Sequence, residues 1–319
     1  MAKTSLSTYT IEAYSTNHKE NDIPLNLKLD NLNEYTIFGH NGDGEYNTLG
    51  NILEYFLNKD HYFNYKNKFL NVNCHNQENN LYYGQLNYGP YGTEHEVVDA
   101  TTNELTEKKI TPNDSVLTPY YFYIRLFENR KDALLILETK STSGIKVIFE
   151  KWLNEFLIEI HCTHFKFKIE SFIPEEMLDK FSEEGHVRKI RYLSYELPKD
   201  SLKIFDDYEP NEGYAEYTVS IKKGKSKRHQ EFLKKIFSND ENSSKELMKN
   251  IDFPADDIKL ELELEEDKRT FTIGNISKTR PLKDISMQLD FGENGHRTFE
   301  SIHNIASKYA KEIIETNEN

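Results

Sequence analysis

Residues 133–140 read Ala-Leu-Leu-Ile-Leu-Glu-Thr-Lys, ALLILETK, and the fold turns on them. Five apolar residues in a row are too few for a helix of ordinary length and suit a buried strand. The turn Glu128-Asn129-Arg130-Lys131-Asp132 precedes this run. A second strand-like stretch, Tyr120 to Phe127, precedes the turn, so the two pair as a hairpin. Downstream, Ser143-Gly144 opens a helix over 144–160. Ile145, Ile148, Phe149, Trp152, Leu153, Phe156, Leu157 and Ile160 recur on one face of it, a stripe wide enough for a main core helix.

Working outward, Tyr9, Ile11 and Ala13 alternate with polar residues as a half-buried strand does. Leu49, Ile52, Leu53, Phe56 and Leu57 repeat at helical spacing, with Asn47 or Thr48 as N-cap. Strands follow at 69–73 and 81–87, then a polar excursion or irregular hairpin from Glu94 to Thr118. Phe165, Phe167 and Ile169 make a further strand, and Pro174 starts a helix through Met177, Leu178 and Phe181. In the second half, strands are expected at 186–197, 214–221 and 259–265, the last with Leu260, Leu262 and Leu264 inward. A helix at 229–237 and a terminal helix bearing Phe299, Ile302, Ile305, Ala306, Tyr309 and Ile313 complete the pattern. The fold class is α+β: mixed, largely antiparallel sheets packed on helices. The chain is expected to divide near residue 170, into an N-terminal α/β region (1–170) and a C-terminal α+β region (171–319) carrying a basic segment and the terminal helix.

The 319 residues are 37% hydrophobic and 13% aromatic, with 20 Tyr and 19 Phe against one Trp. That aromatic content argues against disorder. No apolar run approaches the length of a membrane span, so no membrane insertion is expected. The opening MAKTSLSTYTIEAY lacks the charged and apolar regions of a secretory signal. Two cysteines supply no disulfide framework, which places the chain in a reducing cytoplasm. Abundant Asn, Lys, Ile and Tyr point to an AT-rich genome, bacterial or phage. A formal net charge of −14 opposes nucleic-acid binding by the surface as a whole, and only a local basic face could reverse that.

ALLILETK also raises a chemical possibility. Glu138 and Lys140 point to one face of the strand, where a carboxylate could bind Mg²⁺ and the ammonium polarise a phosphate or water, as in metal-dependent nucleases. The second acid would be Asp132, on the turn, or Asp114, brought back by the preceding strand. The alternative is that Glu138 and Lys140 are the wet end of a core strand, the preferred reading, with no metal or other cofactor. Cys74-His75 and His161-Cys162-Thr163-His164 supply zinc-type ligands, but neither run has Cys-x-x-Cys spacing. No Gly-x-Ser-x-Gly elbow and no Gly-Lys-Ser/Thr phosphate loop is present.

The basic stretches carry more. IKKGKSKRHQ sets Lys222, Lys223, Lys225, Lys227 and Arg228 around one glycine at a strand-to-helix junction. In an acidic chain such a local reversal of sign suits phosphate contact. Arg188, Lys189 and Arg191, with Tyr192, form a second basic and aromatic strand, and Arg280 with Lys283 a third, smaller group.

YYFYIRLFENRKDALLILETK, SGIKVIFEKWLNEFL and RKIRYLSYELPKD, in this order, resemble a pattern in proteins of bacterial phage-defence islands. The layout is similar to the abortive-infection proteins of the lambda Rex exclusion A type and to the DNA-binding subunits of Kiwa-type systems. The resemblance spans roughly 80–310, on apolar patterns of little specificity. It implies a cytosolic, oligomeric, non-enzymatic anti-phage component that contacts DNA without demanding sequence preference, with ALLILETK structural. The strong negative charge departs from that picture. It leaves open an acidic surface that meets a phage or defence partner protein or acts as an inhibitor, and the Mg²⁺-dependent nuclease stays as a further alternative.

Overall fold

The structure, a computed structural model, describes residues 3–16, 22–23, 25, 48–58, 62–78, 80–127, 130–141, 143–173, 175–195, 214–221, 231, 233–234, 237, 255–264, 267–273 and 282–317. The first half runs β1 (Thr4–Ser15), β2 (Asp22–Ile23), α1 (Leu49–Asn58), β3 (Tyr62–Tyr65), β4 (Lys68–Glu78), β5 (Leu81–Pro90), β6 (His95–Asp99), β7 (Glu104–Ile110), β8 (Thr118–Leu126), β9 (Ala133–Lys140), β10 (Ser143–Gly144) and α2 (Lys146–Glu159). The rest runs β11 (Phe165–Ser171), α3 (Glu175–Glu184), β12 (His186–Ser194), β13 (Ala215–Ser220), β14 (Asp257–Leu264), β15 (Asp267–Ile273), β16 (Leu282–Asp284) and a terminal helix α4 (Phe299–Asn317). The fold is α+β with antiparallel sheets, as the patterning predicts.

ALLILETK is β9, between β1 and β8 near the middle of a ten-stranded sheet whose main path is β11-β1-β9-β8-β5-β4-β3, with β10 added on β9 and β2 and β16 on β1. Antiparallel strands usually alternate apolar with polar because one face is wet. β9 does not, because both its faces are covered. Ala133, Leu135 and Leu137 enter a core with α1 and α2, while Leu134 and Ile136 enter a second core with α4. The first core is aromatic at its centre. Phe56 meets Trp152 edge-on at 4.7 Å and Phe156 at 5.2 Å, geometries that add to simple area burial. α1 begins at a Thr48 cap whose Oγ1 accepts the Asn51 N–H at 3.1 Å.

Two expectations need correction. Ser143 and Gly144 do not open α2. Ser141, at φ +53°, turns the chain back so that they pair with Lys140 and Thr139, and the helix starts after Ile145. The terminal helix, assigned by sequence to the C-terminal region, buries Ile302, Ala306, Tyr309 and Ile313 against β1, β8 and β9. β16 likewise pairs with β1. A stripe of apolar residues says that a helix has a partner face, not which sheet provides it.

The second sheet is four-stranded, ordered β13-β12-β14-β15. Its inner face carries Val187, Tyr192, Ile258, Leu260, Leu262 and Phe271, packed with Phe181 of α3 and with Leu233. β6 and β7 form a separate hairpin on which Val98 and Leu105 are exposed. It returns through Val116, whose carbonyl crosses β5 at Gly89. A Cβ added at Gly89 would lie 2.1 Å from that oxygen and 2.8 Å from Ser115 Oγ. The obstacle is backbone, which cannot rotate aside. Gly89→Ala is therefore expected to cost about 1–3 kcal/mol, measured as a lowered urea midpoint; an unchanged midpoint would refute the close approach.

Candidate functional site

β9 ends in a charged cluster under the N-terminus of α4. The chain before α4 is shaped to reach it. Phe291 bridges Arg297, Gly295 takes φ +72°, and the Thr298 N–H donates to the Asp290 carbonyl at 2.8 Å. Thr298 Oγ1 then accepts the Ser301 N–H at 3.3 Å as helix cap. This loop directs the Arg297 guanidinium inward onto Glu138. Its Nε and Nη2 donate to Glu138 Oε2 at 3.0 and 2.5 Å, and the Tyr121 N–H donates to the same oxygen at 2.8 Å. Glu138 is fully buried and Arg297 nearly so. Glu138 Oε1 and Arg297 Nη1 have no hydrogen-bond partner.

Lys140 borders the pair. Its Nζ lies 3.8 Å from Glu138 Oε1, donates to the Pro119 carbonyl at 2.8 Å and sits over the Tyr120 ring. Burial holds its ammonium below the ordinary lysine value; Glu138 opposes that shift and Arg297 adds to it. The Tyr121 hydroxyl meets His303 Nδ1 at 2.8 Å, and the His303 ring packs tilted on Tyr83 at 4.0 Å and parallel to Phe299 at 5.9 Å. Ser307 Oγ is 3.4 Å from both ring nitrogens. It therefore lies over the imidazole rather than in line with one nitrogen, and the pair lacks the directed bond of an activated nucleophile.

The acids named for a nuclease do not converge on Glu138. Asp132 lies at the opposite end of β9, six residues or roughly 20 Å away, paired with Arg130 at 2.8 Å. Asp114 is exposed and holds a turn: its Oδ2 accepts the Thr111 N–H and hydroxyl, both at 2.8 Å. Those bonds, the backbone one first, keep its carboxyl below the usual range. Among the described residues no three His, Cys, Asp or Glu side chains group as metal ligands. Cys162 is buried, which raises its thiol to about 12; the side chains of Cys74 and His75 lie outside what is described.

The basic strand is β12. Arg188 is ion-paired with Glu263. Lys189 faces Glu261 on β14, while Arg191 faces Lys259. On the other side Lys189 and Arg191 adjoin Ser220 and Thr218 of β13. Tyr192 points the other way, into the core; burial raises its phenol, with the neighbouring Tyr217 adding to that. Three of the four residues named here thus share a basic strand, and the fourth is structural. The Ile221 N–H donates to the Arg188 carbonyl at 2.9 Å, which returns the chain to β12 just before Lys222. Lys222, Lys223, Lys225, Lys227 and Arg228 themselves lie outside the described residues, as does Arg280. Lys283 is ion-paired with Glu312 at 3.5 Å.

Sequence reasoning missed Arg297, Lys259 and His303. Lys259 was legible as an outward residue of an alternating strand, but its register against Arg191 was not. Arg297 had no signal, because nothing local marks a loop arginine as the partner of a glutamate 159 residues away. No known family model and no curated protein matches the chain.

Removing one half of a buried pair leaves an uncompensated charge. Arg297→Met is expected to destabilise the protein by about 3–5 kcal/mol in urea unfolding, and Glu138→Gln in the same chain to recover part of it. Wild-type stability for Arg297→Met alone would mean that the pair contributes nothing.

Proposed function

We propose that this protein is a non-enzymatic nucleic-acid-binding component that contacts phosphates through the outer face of β12 and the segment 222–228. Arg191 opposite Lys259 is the observation that supports this reading. Like charges directly across a strand pair repel, and the buried Arg191 Nε has no hydrogen-bond partner. Such a pair gains when an anion is placed beside it. Lys189 lies on the same face, and the chain leaves β13 for Lys222 from beside Arg188. The resemblance to abortive-infection proteins supports a role in phage defence, with DNA as the proposed ligand of a cytoplasmic homo-oligomer. No helix among the described residues is long and apolar enough to cross a membrane.

Glu138 argues against placing the chemistry of a nuclease at β9. Its carboxylate is already committed to Arg297 and a backbone N–H. One observation favours a second reading, a protein-interaction module. The β6–β7 hairpin pairs with neither sheet and carries Glu96, Asp99, Glu104 and Glu107 around exposed Val98 and Leu105.

The two readings separate in a titration of labelled plasmid fragments at two salt concentrations. The binding reading expects affinity that falls with salt, and a loss of at least tenfold in Arg191→Glu, with a shallower salt slope and an unchanged melting temperature. Unaltered affinity in Arg191→Glu would remove the β12 face. Absence of any binding at low salt would leave the hairpin reading.

A further inference from the structure

The β6–β7 hairpin ends in a pair of like charges. Register sets Asp99 directly opposite Glu104, across a turn that Asn103 closes at φ +58°. Residues 94–107 hold five acids, Glu94, Glu96, Asp99, Glu104 and Glu107, and no lysine or arginine. All five are exposed. Lys108 and Lys109 stand toward the other end of the hairpin, Lys109 opposite Glu96. Asp99 is held in place, because its Oδ1 accepts the Thr101 hydroxyl at 2.6 Å and the Thr101 N–H at 2.8 Å. Those bonds keep its carboxyl below the usual range. Glu104 makes no ion pair among the described residues.

The small sheet carries the opposite pair. Arg188 is ion-paired with Glu263 and Lys189 faces Glu261, which leaves Arg191 opposite Lys259. Across the four strands the row reads Thr218, Arg191, Lys259 and Thr272, two cations between two threonines. Neither cation has an ion pair among the described residues, and the buried Arg191 Nε has no hydrogen-bond partner. Asp257, two residues from Lys259, is committed to the Tyr195 hydroxyl and the Ile258 N–H. Both like-charge pairs are direct cross-strand neighbours, so in each the Cβ atoms are about 5 Å apart. Two carboxylates at that separation meet two cations at the same separation, and each pair relieves the repulsion within the other.

Among the described residues no hydrogen bond or ion pair joins the hairpin to β12 or β14 of its own chain. A second copy offers both halves again. A two-fold contact of hairpin on hairpin would set five acids against five, in a chain whose net charge is already −14. The complementary contact is head to tail, with different surfaces of the two copies meeting. We infer that Asp99 and Glu104 of one copy dock on Arg191 and Lys259 of a second copy. The inference rests on the reading above for its homo-oligomer and names the contact that builds it. It does not require that nucleic acid bind, so the two fail separately. The docked carboxylates take the cations that β12 offers to phosphates, so assembly and nucleic acid compete for one pair.

The test is sedimentation velocity of the full chain at low and high salt. The wild type is expected to associate at low salt and to dissociate at high salt. Glu104→Lys on the exposed hairpin and Lys259→Glu on the outer sheet face are each expected to weaken association at least about tenfold, since each sets like charges together. An equimolar mixture of these two variants is expected to associate again, because each keeps the half that the other has lost. Glu104→Gln, nearly the same shape without the charge, is expected to weaken association less than Glu104→Lys does. A wild type that stays monomeric at low salt would overturn the inference. So would association that both charge reversals retain, or that their mixture fails to restore. DNA binding by a monomeric wild type would overturn it and leave the β12 reading intact. An oligomer that passes the mixing test and binds no DNA would support it and remove that reading.

Discussion

Burying a carboxylate away from water is costly unless its charge is matched, and Glu138 is matched by Arg297. The cost of desolvating both ions is high, so the pair adds little net stability over well-packed apolar residues of the same size. What it adds is specificity of placement. Glu138 is part of the central strand and Arg297 stands two residues before the terminal helix, 159 positions later. A terminal helix docked one turn out of place would bury the glutamate unpaired. The ion pair therefore fixes the register of α4 on β1, β8 and β9. Tyr121 extends that constraint, since its N–H serves Glu138 and its hydroxyl serves His303 inside α4.

This constraint explains why ALLILETK could be read correctly as a strand and ambiguously as chemistry. A run of five apolar residues between a turn and a charged exit has few structural solutions, and α2, α1 and the alternation of β14 were legible by the same periodicity. The meaning of Glu138 depended on its partner. A loop arginine after Gly292 and Gly295 has no period, no cap signal of its own and no sequence proximity to the strand. Burial reverses the local reading: a glutamate at a strand exit is exposed by default, whereas this one lies beneath a helix that the sequence assigned elsewhere. The short β10 was missed for a related reason. Ser143-Gly144 fits a helix start on composition, but the left-handed turn at Ser141 had already folded the chain back on β9.

The basic residues show the same division. Their identity is plain in the sequence, yet their surroundings decide what they can contact. Arg188 is taken by Glu263, and Lys189 faces Glu261, so two of the three cations of β12 stand opposite an acid within the sheet. Arg191 differs only because its cross-strand neighbour happens to be Lys259. Cross-strand register, not composition, separates an arginine set beside another cation from one paired with an acid. Register also gathers Tyr62, Asn71 and Asn87, far apart in sequence, into one row of the large sheet.

A protein of net charge −14 repels a polyanion at distances beyond its own contact surface, and salt weakens that repulsion over a Debye length of about 10 Å at 0.1 M. Contacts between lysines and phosphates weaken with salt as well. The two effects have opposite signs, so the salt slope of an ionic interface on such a chain is shallower than its number of phosphate contacts alone would give. Stacking on an exposed ring and hydrogen bonds from amides escape this opposition, because neither depends on long-range charge. A duplex, which offers phosphates and few exposed ring faces, is held by the ionic term, which a confined basic face has to supply against the charge of the rest of the chain.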